Sequence, residues 1–172
     1  MNSFWLDADV LIQSENGVLS LEIAPPLWVF IDQQVAIGTI RSSMKIYAEI
    51  LSKEHADGAL AKWVKQRRNN GMFIDPAKHR HVQEQYNKIA DYVAKQYRDR
   101  PAKVAEFLSG GDGWIIAHAL CDSGIVVSHE NRVDRTAKKP KIPNVCTRFG
   151  VGCIDLKEML MRLKFKFGNL QR

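Results

Sequence analysis

Three short apolar runs of strand length, Phe4 to Asp7, Ile125 to Ser128 and Val151 to Ile154, are separated by long stretches of helical periodicity. Strands divided by helices are joined by right-handed crossovers, which makes their sheet parallel and covers it with helices. The expected fold is an α/β domain with a parallel central sheet between helical layers. No linker, internal repeat or low-complexity tract divides the chain, so one domain over residues 1–172 is expected.

The helices have local signals. Pro25-Pro26 opens one that runs through Leu27, Phe30, Ile31 and Val35 and stops at Gly38. Ser42-Ser43 reads as the N-cap of a helix carrying Met44, Tyr47, Ala48 and Leu51 on one face. Residues 57–69 and 78–98 read as two more, the second long and basic, and another begins near Pro101. Met72 to Ile74 is too short to assign. Asp112, inside the turn Ser109-Gly-Gly-Asp112-Gly113, is placed to cap the apolar helix Trp114 to Leu120. Lys138 to Lys141 reads as a basic loop, and Leu156, Met159, Leu160 and Leu163 mark a C-terminal amphipathic helix.

The longest uncharged runs are nine residues, too short for a membrane span, and Asp7 and Asp9 interrupt any secretory signal. A cytoplasmic protein with no membrane partner is expected. Its three cysteines, Cys121, Cys146 and Cys153, include no CxxC pair and read as free core thiols. The net charge of +6 is segregated: residues 1–61 carry −5, 62–103 carry +7, 104–130 carry −4 and 131–172 carry +8. Acidic blocks that meet would attract cations, and basic flanks would attract a polyanion; basic helix faces can equally be solvated without function.

Sites in parallel α/β sheets form beyond the carboxyl ends of the strands. Asp7 ends the first strand, Glu130 follows the second, and Asp112 stands at a helix start facing the same edge. Glu49 lies between Ile46 and Ile50 on an otherwise apolar helix. Four carboxylates brought together repel unless protonated or neutralised, and hard oxygen donors suit Mg²⁺ or Mn²⁺. Such an ion acts on phosphate-containing substrates. Each acid also has a plain reading: Asp112 as a cap, Glu49 on the surface, Asp7 and Asp9 in a turn, Glu130 in a loop.

Taken in order, these motifs resemble the PIN-domain nucleases, especially the VapC-like toxins. That family opens with an apolar strand ending in Asp-x-Asn, matched by Trp5-Leu6-Asp7-Ala8-Asp9-Val10; Tyr47-Ala48-Glu49-Ile50-Leu51, Asp112-Gly-Trp-Ile-Ile-Ala117 and Val126-Val127-Ser128-His129-Glu130 match its later motifs. The resemblance implies a three-layer PIN-like fold and metal ligation by Asp7, Glu49, Asp112 and Glu130. It also implies Ser128 and Asp9 in support, and in-line attack of water on RNA. A toxin of a type II toxin–antitoxin pair, a cognate antitoxin and a homodimer are further implications. Asp9 stands where the family usually has Asn, adding charge, and Glu130 stands for the commoner Asp. Lys138, Lys139 and Lys141 are candidate contacts to the RNA backbone.

A non-catalytic PIN-like module that binds nucleic acid or protein is the alternative. Asp7-Ala-Asp9 and Gly111-Asp112-Gly113 also resemble haloacid-dehalogenase-type phosphatases, but their order relative to the Ser-ending strand is wrong. No GxxxxGK[ST] loop or GxSxG elbow is present. His118, Cys121 and His129 lack an obvious fourth zinc partner, and buried His and Cys are commonly core residues. His79 and His81 read as solvated or phosphate-facing, while Trp63, Tyr86 and Tyr92 fit helix packing.

Overall fold

A computed structural model describes residues 3–52, 57–130 and 138–168. Its first half runs β1 (Phe4–Leu6), α1 (Ala8–Glu15), α2 (Pro25–Ala36), β2 (Ile40–Ser43), α3 (Met44–Ser52), α4 (Ala59–Gln66) and β3 (Phe73–Ile74). A 3₁₀ turn at Pro76–Lys78 leads to α5 (Arg80–Gln96), α6 (Pro101–Ser109) and α7 (Asp112–Cys121). Then follow β4 (Ile125–Val127), α8 (Ile142–Phe149), β5 (Gly152–Ile154) and α9 (Leu156–Arg162). The five strands form an all-parallel sheet in the order β3-β2-β1-β4-β5, within a three-layer α/β/α arrangement. No helix among the described residues is long and apolar enough to cross a membrane.

The three apolar runs are β1, β4 and β5. Ser42-Ser43, read as a helix cap, first completes strand β2: Ser42 pairs with Phe73 and its hydroxyl donates to the Leu6 carbonyl at 2.7 Å. That bond is what permits a buried serine here. Ser43 does also serve α3, its Oγ accepting from Lys45 N at 3.2 Å. Asp112 does not cap a helix beginning at Trp114; α7 starts at Asp112 itself, after Gly111. Helix α8 fills residues that had no assigned structure, and Gly150 ends it at a φ of 69° in the left-handed region.

The core joins both sides of the sheet. Leu6, Ile40 and Val126 are fully buried in the strands, and Ile115, Ile116, Ala117 and Ala119 are fully buried on α7. Helix α7 packs between α5 and the sheet, which accounts for its apolar character all round. Trp63, Tyr86 and Tyr92 do pack, against Trp28, Trp114 and Phe149 respectively. Cys121, however, is exposed rather than in the core.

His118 stacks on Trp5 with ring centroids 4.5 Å apart and is only 2% exposed. Its Nε2 has no hydrogen-bond partner among the described residues. Burial first, then the charges of His79 and Arg41, push its pKa down to about 4 against the opposing pull of Asp75. A base depressed in the folded state contributes stability that is present above its ordinary value of 6.5 and lost as pH falls towards 4. Lowering the pH from 7.5 to 5 should therefore cost the protein about 2 kcal/mol more than it costs His118→Gln. Urea unfolding of both proteins at the two pH values measures the difference; equal losses would reject the assignment.

Candidate functional site

The chain leaves β1 at Leu6 and turns at once into α1, so Asp7 sits at the strand's carboxyl end. Its Oδ1 caps α1 by accepting from Ala8 N at 2.7 Å, and the first helical turn brings Asp9 to the same edge. β4 lies beside β1, and Ser128 Oγ donates to Asp7 Oδ2 at 3.2 Å across their ends. From β1 the chain proceeds to β2 and β3 on one side, whereas β4 proceeds to β5 on the other. Asp7 and Ser128 thus mark the topological switch point, where open α/β sheets place their ligands.

Glu49 reaches the same place from α3. Its Oε2 accepts from Gly111 N at 3.1 Å, which sets a carboxylate at the N-terminus of α7. The helix-start role that local sequence suggests for Asp112 thus belongs to an acid from another helix, where the helix dipole favours a negative charge. Asp112, in the first turn of α7, faces a cavity of about 470 Å³ also lined by Asp7, Asp9, Glu49 and Glu130.

Glu130 reaches the cavity with both carboxylate oxygens engaged. Oε1 pairs with Lys141 Nζ at 2.8 Å, Oε2 accepts from Ile142 N at 2.8 Å, and Ser128 Oγ accepts from Glu130 N at 3.1 Å. Glu130 therefore anchors the start of α8 and fixes Ser128. Of the candidate RNA contacts, Lys141 is tied to Glu130, Lys139 lines the cavity wall, and Lys138 is exposed. Glu106, Ser109 and Gly110 complete the wall from the end of α6. Sequence reasoning passed over Glu106, which looks like an ordinary helix-surface acid paired with Lys103 at 2.6 Å.

The Asp7 pKa is raised well above the ordinary carboxylate value. Burial is the leading cause, followed by the charges of Asp112 and Asp9; the Ala8 N–H opposes them, and Glu49 adds a smaller upward push. Asp7 is 3% exposed and cannot relieve this repulsion through solvent. A cation would relieve it.

Among the described residues, no group of three or more His, Cys, Asp or Glu side chains is arranged to hold a metal ion between them. Mg²⁺ keeps several waters and commonly binds through one or two carboxylates, so the hard oxygen donors and mutual repulsion at Asp7 and Asp112 fit such an ion. A larger cavity, about 570 Å³, lies against α2 with Pro25, Val29, Phe30 and Phe165 in its walls. Among the described residues, its only ionisable lining groups are Lys164 and Lys166, so the acidic chemistry belongs to the smaller cavity.

A family model described as a domain of unknown function (DUF4411) matches residues 4–167. No curated protein and no solved structure matches the chain.

Proposed function

The chain belongs to the DUF4411 family, and from the chemistry of its acidic cavity we propose that it is a metal-dependent endoribonuclease hydrolysing RNA phosphodiester bonds. The observation that carries this reading is the buried Asp7 carboxylate at the switch point, with its pKa raised by burial and by Asp112, Asp9 and Glu49. An enclosed group of like charges is a costly arrangement that a cation substrate-complex would offset.

Asp7 and Asp112 are the ligands proposed for Mg²⁺ or Mn²⁺. When bound, such an ion would supply Lewis acidity towards a phosphodiester and would make a bound water more acidic. Ser128 holds Asp7 Oδ2 in place, and Glu49 fixes the start of α7 so that Asp112 stays at the cavity edge. Asp9 strengthens the negative field. Lys139, on the cavity wall, offers a cation to a phosphate oxygen, and Lys138 offers another outside it.

The resemblance to PIN-domain toxins supports RNA as the substrate, and with it a toxin role, a cognate antitoxin, a homodimer and a cytoplasmic location. The engagement of Glu130 by Lys141 and Ile142 favours a second reading, a PIN-like module that binds nucleic acid without cutting it. RNA incubated with purified protein and Mg²⁺, Mn²⁺ or EDTA separates the two. Cleavage that needs metal and disappears in Asp7→Asn, Asp112→Asn supports the nuclease. Retained RNA binding without cleavage by the native protein, with either metal, would replace it by the binding module.

The lysines should divide by role. Lys141→Ala, which leaves a partly buried carboxylate without its ion pair, should cost about 1 kcal/mol in urea unfolding. Lys138→Ala, Lys139→Ala should instead lower RNA affinity and reduce its log–log salt slope by roughly 1–2. An unchanged slope would remove both lysines from the interface.

A further inference from the structure

Of the four tryptophans, Trp5, Trp28 and Trp63 are buried, and only Trp114 reaches the surface. Its indole is held in place from behind. Tyr86, on α5, lies parallel to it with ring centroids 3.7 Å apart and planes 6° apart. The Tyr86 hydroxyl donates to the Leu108 carbonyl at 2.9 Å, which ties that ring to the end of α6. A Cβ on Gly113 would stand 3.0 Å from Tyr86 Cε2, so the glycine leaves the tyrosine room beside its neighbour.

Tyr86 fills one face of the indole, and Lys45 Nζ stands over the other, 5.5 Å from the centroid. That ammonium sits well beyond stacking distance and belongs to an exposed side chain. A third flat ring therefore fits on the outer face, continuing the Tyr86–Trp114 stack, once the lysine swings aside. The position also matters. Helices α3 and α7 run antiparallel: Glu49 meets Gly111, and Lys45, one turn earlier, meets Trp114. The indole lies roughly 5 Å along α7 from the Glu49 contact at the acidic cavity. A strand with one phosphate in the cavity brings an adjoining base to the ring and the next phosphate to Lys45.

We propose that Trp114, backed by Tyr86 and flanked by Lys45, is a stacking platform for an unpaired base of single-stranded RNA beside the acidic cavity. The proposal rests on the ribonuclease reading for its substrate and adds a contact to a base. An indole face accepts any base, but only one that is not already paired and stacked in a helix. The platform thus selects single-stranded segments and discriminates little among bases. Because Tyr86 already fixes the indole, binding a base costs little side-chain entropy.

The test follows the tryptophan fluorescence of the full chain as a short oligoadenylate is added, with Ca²⁺ or with EDTA so that cleavage is not needed. Only Trp114 is placed to meet a base, so the expected result is saturable, partial quenching. Inorganic polyphosphate of matched charge, or oligoadenylate paired with oligouridylate, should quench far less. Trp114→Leu should abolish the quenching and bind labelled oligoadenylate about tenfold more weakly, with polyphosphate affinity unchanged. Trp114→Phe, which keeps a ring against Tyr86, should recover part of that affinity. No quenching under either condition, whether or not the oligomer binds, would overturn the platform. Equal quenching by polyphosphate or by the paired RNA would do the same, as would native affinity in Trp114→Leu. The native chain's quenching decides the matter even if a variant folds poorly. Metal-dependent cleavage without quenching removes the platform and keeps the nuclease; quenching by a native protein that cleaves with neither Mg²⁺ nor Mn²⁺ does the reverse.

Discussion

Asp7→Asn should reduce metal-dependent RNA cleavage by about 10²–10³-fold while making the metal-free protein more stable at neutral pH. The two effects have one cause. Asp7 is buried beside Asp112, Asp9 and Glu49, and holding it ionised without a cation is unfavourable. Asparagine can still accept from Ala8 N and can donate to Ser128 Oγ, so the local frame survives while a charge is removed. A gain of ~1 kcal/mol corresponds to roughly 2–4 °C in Tm for a chain of this size.

The pH dependence has a definite sign. The folded pKa of Asp7 lies well above its ordinary value of 3.8, so the folded state takes up a proton that the unfolded state has already released. The stability linked to that proton is complete below about 3.8 and is lost as pH rises through the elevated folded value. The asparagine variant should lack this slope. Mn²⁺ should raise the Tm of the native protein at pH 7.5 much more than that of the variant, because the ion stabilises the folded state by binding it. A variant that melts lower than the native protein without metal, and shifts equally with Mn²⁺, would remove Asp7 from the proposed ion site.

The elements legible in the sequence were those whose local pattern matched their burial. β1 and β4 are buried throughout because helices cover both sides of the sheet, and each stands out as an apolar run. β5, at the sheet edge, is only partly buried and shows through the run that begins at the buried Val151. β2 hides because Arg41, Ser42 and Ser43 fill it, and its buried serine depends on a bond to Leu6, 36 residues earlier. β3 spans only Phe73–Ile74, shorter than any reliable periodicity. At the site, Asp7, Glu49 and Asp112 were legible as acids at strand or helix ends or within an apolar face. What they bind was not: Glu49 meets Gly111 across 62 residues, and local spacing favours Asp112 for that work. The engagement of Glu130 depends on α8, which begins beyond a basic stretch. Lys139 and Glu106 look like ordinary surface charges until the folded chain sets them on one wall.

Gly111→Ala should destabilise the protein by about 1–3 kcal/mol and weaken cleavage. Gly111 has φ −82° and ψ −16°, which any residue adopts, so backbone freedom does not explain the glycine. Space does. An added Cβ would overlap Ile46 Cδ1 and stand 3.4 Å from Glu49 Oε2. Ile46 is fully buried and cannot swing into solvent, so α3 and α7 must separate or Ile46 must leave its rotamer. Either change disturbs the Gly111 N to Glu49 bond that fixes the start of α7 and hence Asp112.

Two further substitutions isolate this contact. A Cβ at Gly110 would meet Glu49 Oε2 at 3.6 Å, an ordinary distance, so Gly110→Ala should leave stability nearly unchanged. Ile46→Val removes the overlapped Cδ1 and alone should cost about 0.5–1.5 kcal/mol. Combined with Gly111→Ala it should cost less than the sum, because the cavity left by one change receives the methyl added by the other. Urea unfolding of the single and double variants gives the coupling, and RNA cleavage follows whether the site recovers with the fold. Additive losses would mean that the Gly111–Ile46 approach does not limit the packing of α3 against α7. Recovery of both stability and cleavage would instead connect a core contact to the acidic cavity through the position of Glu49.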